Sequence, residues 1–179
     1  MIKSWPCIRS RPRDSFRVFS VRTDTAISPR TGNEHDFHII ESEDWINVIP
    51  LTSGDQVIMI RQYRHGARKV TLEIPGGLID LGDTPEKAAA RELLEETGYQ
   101  AEGLVQIGVV NPNPALFNNR CYTYVAQNVK KIHDPMPDQA EDIEVVPIHL
   151  LEIPKLIQTG EIDHAMVITA FYWYFSQNR

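Results

Sequence analysis

"GGLIDLGDTPEKAAARELLEETGY", residues 76–99, decides how this chain is read. Thr84 offers a hydroxyl to cap a helix, and Pro85 suits the first helical position, where no N–H is needed. The helix runs through residues 86–97 and ends at Gly98, the residue type that adopts the left-handed conformation without steric cost. At 100° per residue, Glu92, Glu95 and Glu96 share an arc of about 100°. Ala88 lies on the same face one turn earlier, small enough to let a loop approach. Ala89, Ala90, Leu93 and Leu94 form the other side, suited to packing on a sheet, and Arg91 stands where it can pair with a carboxylate. Such an acidic helix end is unfavourable in isolation. Glutamates at i, i+3 and i+4 repel by roughly a few tenths of a kcal/mol per pair. The negative end of the helix dipole adds roughly 0.3–1 kcal/mol more. Converging carboxylates are what a hard divalent cation requires, and Mg²⁺ is the expected ion.

Outward from this helix the pattern is strand-like. "KVTLEI" runs directly into the glycine loop. Before it, "DWINVIPL" and "QVIMIRQY" bracket "TSGD" as a hairpin of buried strands. Nearer the N-terminus, "SFRVFSVRTDTAI" and "EHDFHIIES" flank "SPRTGN", whose Pro, Gly and Asn predict a turn. After the helix, strands are expected at "LVQIGVV", "RCYTYVAQNV" and "IEVVPIHL". A short helix is expected between Pro154 and Gly160, then a largely buried one in "DHAMVITAFYWYF", capped by Asp163. This order predicts an α+β fold with a mixed sheet between helical layers. The expected division is an N-terminal β-hairpin region, 1–42, and a main domain, 43–179.

The 179 residues are 42% hydrophobic and 23% charged, ordinary for a folded domain, with a formal net charge of −6. That charge excludes a generic nucleic-acid-binding surface. It is concentrated: residues 80–98 hold six acids against two bases, and 133–144 hold five acids and no Lys or Arg. Cys7 and Cys121 are lone and far apart, which fits a reducing cytoplasm rather than a disulfide framework or a zinc ribbon. The first residues lack the apolar core of a signal peptide, and no apolar run is long enough to span a membrane.

Residues 76–99 resemble the Nudix box, the signature of hydrolases acting on a nucleoside diphosphate linked to another moiety. Gly77, Arg91, Glu92, Leu93, Glu95, Glu96 and Gly98 fit that pattern in register. Asp83 replaces the usual glutamate, and Tyr99 stands where a large aliphatic is typical. The resemblance implies a Nudix-type α/β/α sandwich. It also implies metal ligation by Glu92, Glu95, Glu96 and the Gly76 carbonyl, with Mg²⁺ as the ion and Mn²⁺ as a substitute.

"DWINVIPLTSGD", "VIMIRQYRHGARKVTLEIPGGLID", Pro114 and "GEIDHAMVITAFYWYF" look like the ADP-ribose pyrophosphatase and nucleoside diphosphate sugar hydrolase branch, across residues 16–177. The reaction so implied is cleavage of ADP-ribose, or alternatively of GDP-mannose or another nucleotide-hexose, into a nucleoside monophosphate and a sugar phosphate. A rival from a different class is a non-catalytic nucleotide-sugar-binding regulator, against which the intact glutamates argue. In this branch Arg64 would touch a phosphate, Glu73 would line the site, and a homodimer would form through the N-terminal strands.

Physical chemistry agrees. Arg61, Arg64, His65, Arg68 and Lys69 form a basic cluster just before the acidic loop, and a pyrophosphate needs cations on its oxygens as well as metal. Arg68 and Lys69 themselves read as an exposed turn. Hydrolysis needs a base for water. The Pro-rich acidic "HDPMPDQAEDIEVV" supplies Glu141 as first choice, Asp142 and Glu144 as neighbours, with Glu95 or Glu96 on the box helix as the fallback. In "NPNPALFNNR", Phe117 or Asn118 is placed to contact the nucleotide or sugar, although loop structure explains them equally well. The histidines read as structural.

Overall fold

A computed structural model describes residues 1–136 and 141–177. The chain divides into two compact units: Met1–Asp44 with Asn111–Arg120, and Trp45–Val110 with Cys121–Arg179.

The first unit is a three-stranded antiparallel sheet of β1 (Cys7–Ser15), β2 (Ser20–Ile27) and β3 (Glu34–Glu41), with β2 in the centre. The expected hairpin is β2–β3, closed by Ser28 N–H to Asn33 O at 2.9 Å and by Gly32 at φ 75°. Its first strand starts later than the hydrophobic pattern suggests. Phe16–Phe19 turn between β1 and β2, with Phe16 N–H on Phe19 O at 2.8 Å. The additional strand, β1, is mostly exposed and rich in Arg, Ser and Pro. Polar pairs help tie it down: Ser10 Oγ donates to Asp24 at 2.6 Å, and Arg11 meets Asp36 at 3.3 Å. The 111–120 segment belongs to this unit and runs along the end of β3. There Ile40 N–H reaches Leu116 O at 2.8 Å, and Asn119 Nδ2 donates to Glu43 O at 3.0 Å.

The second unit is built on a mixed sheet ordered β12–β5–β4–β10–β9: Ile143–His149, Gln56–Arg64, Trp45–Leu51, Cys121–Gln127 and Leu104–Val110. β10 runs parallel to β4, and β9, β5 and β12 run antiparallel to their neighbours. β4 shows why both faces must be covered. Ile46 and Val48 point into one core with Tyr124, Ala126 and the helix α1 (Pro85–Thr97). Ile49 and Leu51 point into the other, with Val57, Met59, Ile153 of α2 (Ile153–Thr159) and Val167 and Phe171 of α3 (Ala165–Gln177). Alternation along a strand buried on both faces produces this α/β/α arrangement directly. Each fully buried large apolar side chain contributes about 1.5–3 kcal/mol.

The sheet splits between β4 and β5. β4 and β5 pair only at Leu51↔Val57. Beyond that point β5 takes β6 (Lys69–Glu73) as partner, and β4 takes β7 (Gly76–Leu78), the glycine segment itself. Two short strands, β8 (Tyr99–Gln100) and β11 (Lys130–Lys131), pair just after α1. Asp163, expected as the cap of α3, forms an ion pair with Lys69 at the start of β6.

Candidate active site

α1 begins and ends as its residues dictate. Thr84 Oγ1 accepts from Lys87 N–H at 3.3 Å, Pro85 occupies the first turn, and Gly98 closes the helix at φ 73°, its N–H on Leu94 O. The two glycines of β7 bring backbone against the acidic face of this helix. A Cβ at Gly76 would overlap the Ile46 carbonyl oxygen, and one at Gly77 would run into the Glu92 carboxylate. Gly76 N–H donates to Glu96 Oε2 at 2.9 Å.

Glu96 is only 3% exposed. Burial pushes its pKa up to about 8; the Gly76 N–H works the other way, and the charges of Glu92 and Glu141 add to the rise. Glu92 moves in the same direction. Burial is again the largest cause, Arg91 opposes it, and Glu95 and Glu141 reinforce it. Carboxylates that raise one another's pKa while buried form a site short of positive charge.

Arg91 supplies part of that charge and organises the loop. Its guanidinium reaches Glu92 at 2.9 Å, Glu95 at 3.1 Å, Asp80 at 3.2 Å and Asp83 at 3.7 Å, and donates to the Leu78 carbonyl at 3.2 Å. Asp83, the departure from the Nudix pattern, thus lies on Arg91. Among the described residues, no group of three or more His, Cys, Asp and Glu stands ready to hold a metal ion as placed. The side chains account for this: Glu92 and Glu95 turn to Arg91, while Glu96 turns to Gly76. The donor set nevertheless suits a hard divalent cation, being all oxygen, clustered and under-neutralised.

Arg64 and Glu73 meet on one face of the β5–β6 pair. Arg64 Nε and Nη2 donate to the two Glu73 oxygens at 2.8 and 2.7 Å, and Thr71 Oγ1 donates to Oε1 at 2.6 Å. Burial alone would raise the Glu73 pKa; the Arg64 fork and Thr71 outweigh it and hold the carboxyl below its ordinary range. Glu73, 2% exposed, lies beneath the half-exposed Arg64 and fixes the guanidinium. The Glu96 and Glu141 charges also act on Arg64, so a basic fork and an acidic cluster face one another.

Glu141 therefore belongs electrostatically to this group, since its charge is felt by Glu92, Glu96 and Arg64. Residues 137–140 of the acidic loop lie outside the described residues. Glu144 pairs across strands with Arg61 at 3.2 Å, on an exposed edge. Phe117 and Asn118 lie in the other unit, where Phe117 bridges to Ile40 and Asn118 Oδ1 accepts from Ser42 N–H at 3.2 Å. Asp80 and Asp83 as Arg91 partners, and His164, whose buried Nδ1 has no hydrogen-bond partner among the described residues, went unforeseen. No local spacing signals them.

The NUDIX domain model matches residues 42–171 of the chain. The chain belongs to the Nudix hydrolase family. An ADP-ribose pyrophosphatase of Bacillus subtilis (strain 168) is 28% identical over 136 residues, 75% of this chain and 74% of its own. A methanol dehydrogenase activator of Bacillus methanolicus is 29% identical over 160 residues, 88% of this chain and 86% of its own. The crystal structure of an ADP compounds hydrolase matches with a TM-score of 0.85 at 21% identity, covering 99% of this chain and 95% of that one, and so shares the fold. Nudix hydrolases depend on a divalent metal ion, and the oxygen donors on α1 of this Nudix chain fit one.

Proposed function

We propose that the chain hydrolyses the pyrophosphate of a nucleoside diphosphate sugar, with ADP-ribose as the preferred substrate and Mg²⁺ as the ion. The observation carrying this is the under-neutralised cluster of Glu92 and Glu96 facing a fixed arginine fork. The name of the Bacillus subtilis relative points to ADP-ribose.

Glu92, Glu95, Glu96 and the Gly76 carbonyl would hold the metal, whose charge offsets that of the pyrophosphate and lowers the pKa of water. Arg64, oriented by Glu73, holds a phosphate oxygen through the guanidinium edge not turned to Glu73. Arg91 keeps Glu92 and Glu95 from splaying apart. Glu141 takes the proton of the attacking water as its oxygen bonds to phosphorus. The bridging P–O bond breaks, and AMP and a sugar phosphate leave. The site of action proposed is the cytoplasm, in keeping with two lone cysteines.

Comparison of kcat/KM for ADP-ribose and GDP-mannose tests the substrate. ADP-ribose should lead by tenfold or more; the reverse order would replace it with the hexose nucleotide. The second reading, a regulator without turnover, draws on the name of the Bacillus methanolicus relative. It requires binding of nucleotide sugars with no monophosphate released.

A further inference from the structure

An arginine carries five N–H groups, and those of Arg91 are unequally served. Nη1 donates to Glu92 and Glu95 on α1, at 2.9 and 3.1 Å, and Nη2 to the Leu78 carbonyl at the end of β7, at 3.2 Å. Nε is buried and has no hydrogen-bond partner among the described residues. The Asp83 carboxylate stands 3.7 Å from it, beyond hydrogen-bond reach. A buried donor left unmet is costly. The Nudix pattern has glutamate at position 83, and that side chain, one methylene longer, has the reach that Asp83 lacks.

Asp80 meets the same guanidinium from the other end of one turn. Asp83 N–H donates to Asp80 O at 2.9 Å, and Gly82, at φ 93°, lets the chain reverse between them. Asp80 Oδ2 is thereby set 3.2 Å from Nη2. Ile79 packs against α1, but beyond it the turn has little apolar support: Leu81 is 98% exposed, and a Cβ on Gly82 would have no neighbour within 4 Å. An isolated exposed ion pair contributes little. Here the guanidinium is already fixed by three hydrogen bonds, so the Asp80 pair orders few further torsions and closes a network joining β7, the turn and α1.

We propose that Asp80 is a positioning residue: through Arg91 it supplies the hold that the short Asp83 side chain does not, latching the glycine segment to the helix that carries Glu92 and Glu95. The Gly76 carbonyl and these carboxylates are thereby kept at one spacing for the metal ion. This rests on the metal site proposed above. Asp80 acts through Arg91 and is not itself a ligand.

The test uses the intact chain and three variants: Asp80→Ala, Asp83→Glu and the two combined. Asp80→Ala and the combined variant carry the same net charge, so a difference between them reports geometry and not the field at the metal. One readout is Mn²⁺ binding, from the electron paramagnetic resonance of the free ion. The other is amide hydrogen exchange across residues 76–83 in chelator, which reads local opening of the loop. Asp80→Ala should weaken Mn²⁺ binding and speed exchange, each about fivefold. Adding Asp83→Glu should bring both to within about twofold of the wild type. No change in either readout for Asp80→Ala would overturn the proposal, as would equal losses in Asp80→Ala and the combined variant. A wild type that binds no Mn²⁺ would instead remove the metal site, while the exchange measurement, which needs no metal, would still decide whether Asp80 latches the loop.

Discussion

Glu96 carries the clearest pH signature of any single residue. Its carboxyl has an ordinary pKa of 4.5 and a folded one of about 8. Below the lower value it is protonated whether folded or not, and burial costs little. Between the two, the folded protein keeps a proton that the unfolded chain sheds, so stability falls as pH rises, by up to about 1.4 kcal/mol per pH unit. The metal-free protein should therefore unfold at lower urea at pH 7.5 than at pH 5.5. Glu96→Gln should flatten that difference, and Mg²⁺ should reduce it by favouring the ionised form. Equal slopes for wild type and Glu96→Gln in chelator would count against this. Asp24 and Asp163, held below their ordinary range by Ser10 and Lys69, act in the opposite sense and only at more acidic pH. For Arg64, replacement by Ala leaves Thr71 as the side-chain hydrogen-bond donor to the buried Glu73 carboxylate among the described residues, and should cost about 2–3 kcal/mol in a urea melt. Arg64→Lys keeps the charge but loses the two-pronged geometry, and should recover only part of that stability.

Among the elements, α1 depends most visibly on its ends. Thr84→Ala removes the hydroxyl that accepts Lys87 N–H and should cost about 1 kcal/mol in thermal or urea melts, while Thr84→Ser should cost much less. This helix was legible in sequence because cap, first-turn proline and terminal glycine are local signals, and all three act as read. β4 and β5 were legible too, as short apolar runs bounded by a turn. β1 was not, because Arg, Ser and Pro predominate and its apolar content is small. The pairing of Arg64 with Glu73 also escaped, although each was singled out separately. They are nine residues apart, and only the β5–β6 register places both on one face. The same holds for Asp80 and Asp83. Their position on Arg91 depends on how the glycine loop folds back over the helix, which no spacing rule encodes.

At the scale of the whole molecule, the N-terminal unit leaves Trp5, Ile8, Phe16 and Phe37 substantially exposed, more large apolar surface than a solvated sheet requires. We propose that a homodimer buries part of this surface, so light scattering should give about twice 20.4 kDa; a monomer mass at micromolar concentration would contradict this. The reaction is the central claim. Its most direct measurement is release of AMP from ADP-ribose by the intact chain, with Mg²⁺ and with chelator, beside a panel of other nucleotide sugars. The account predicts rapid release that requires the metal and falls at least a hundredfold in Glu92→Gln and Glu96→Gln. No metal-dependent release from any member of the panel would contradict it.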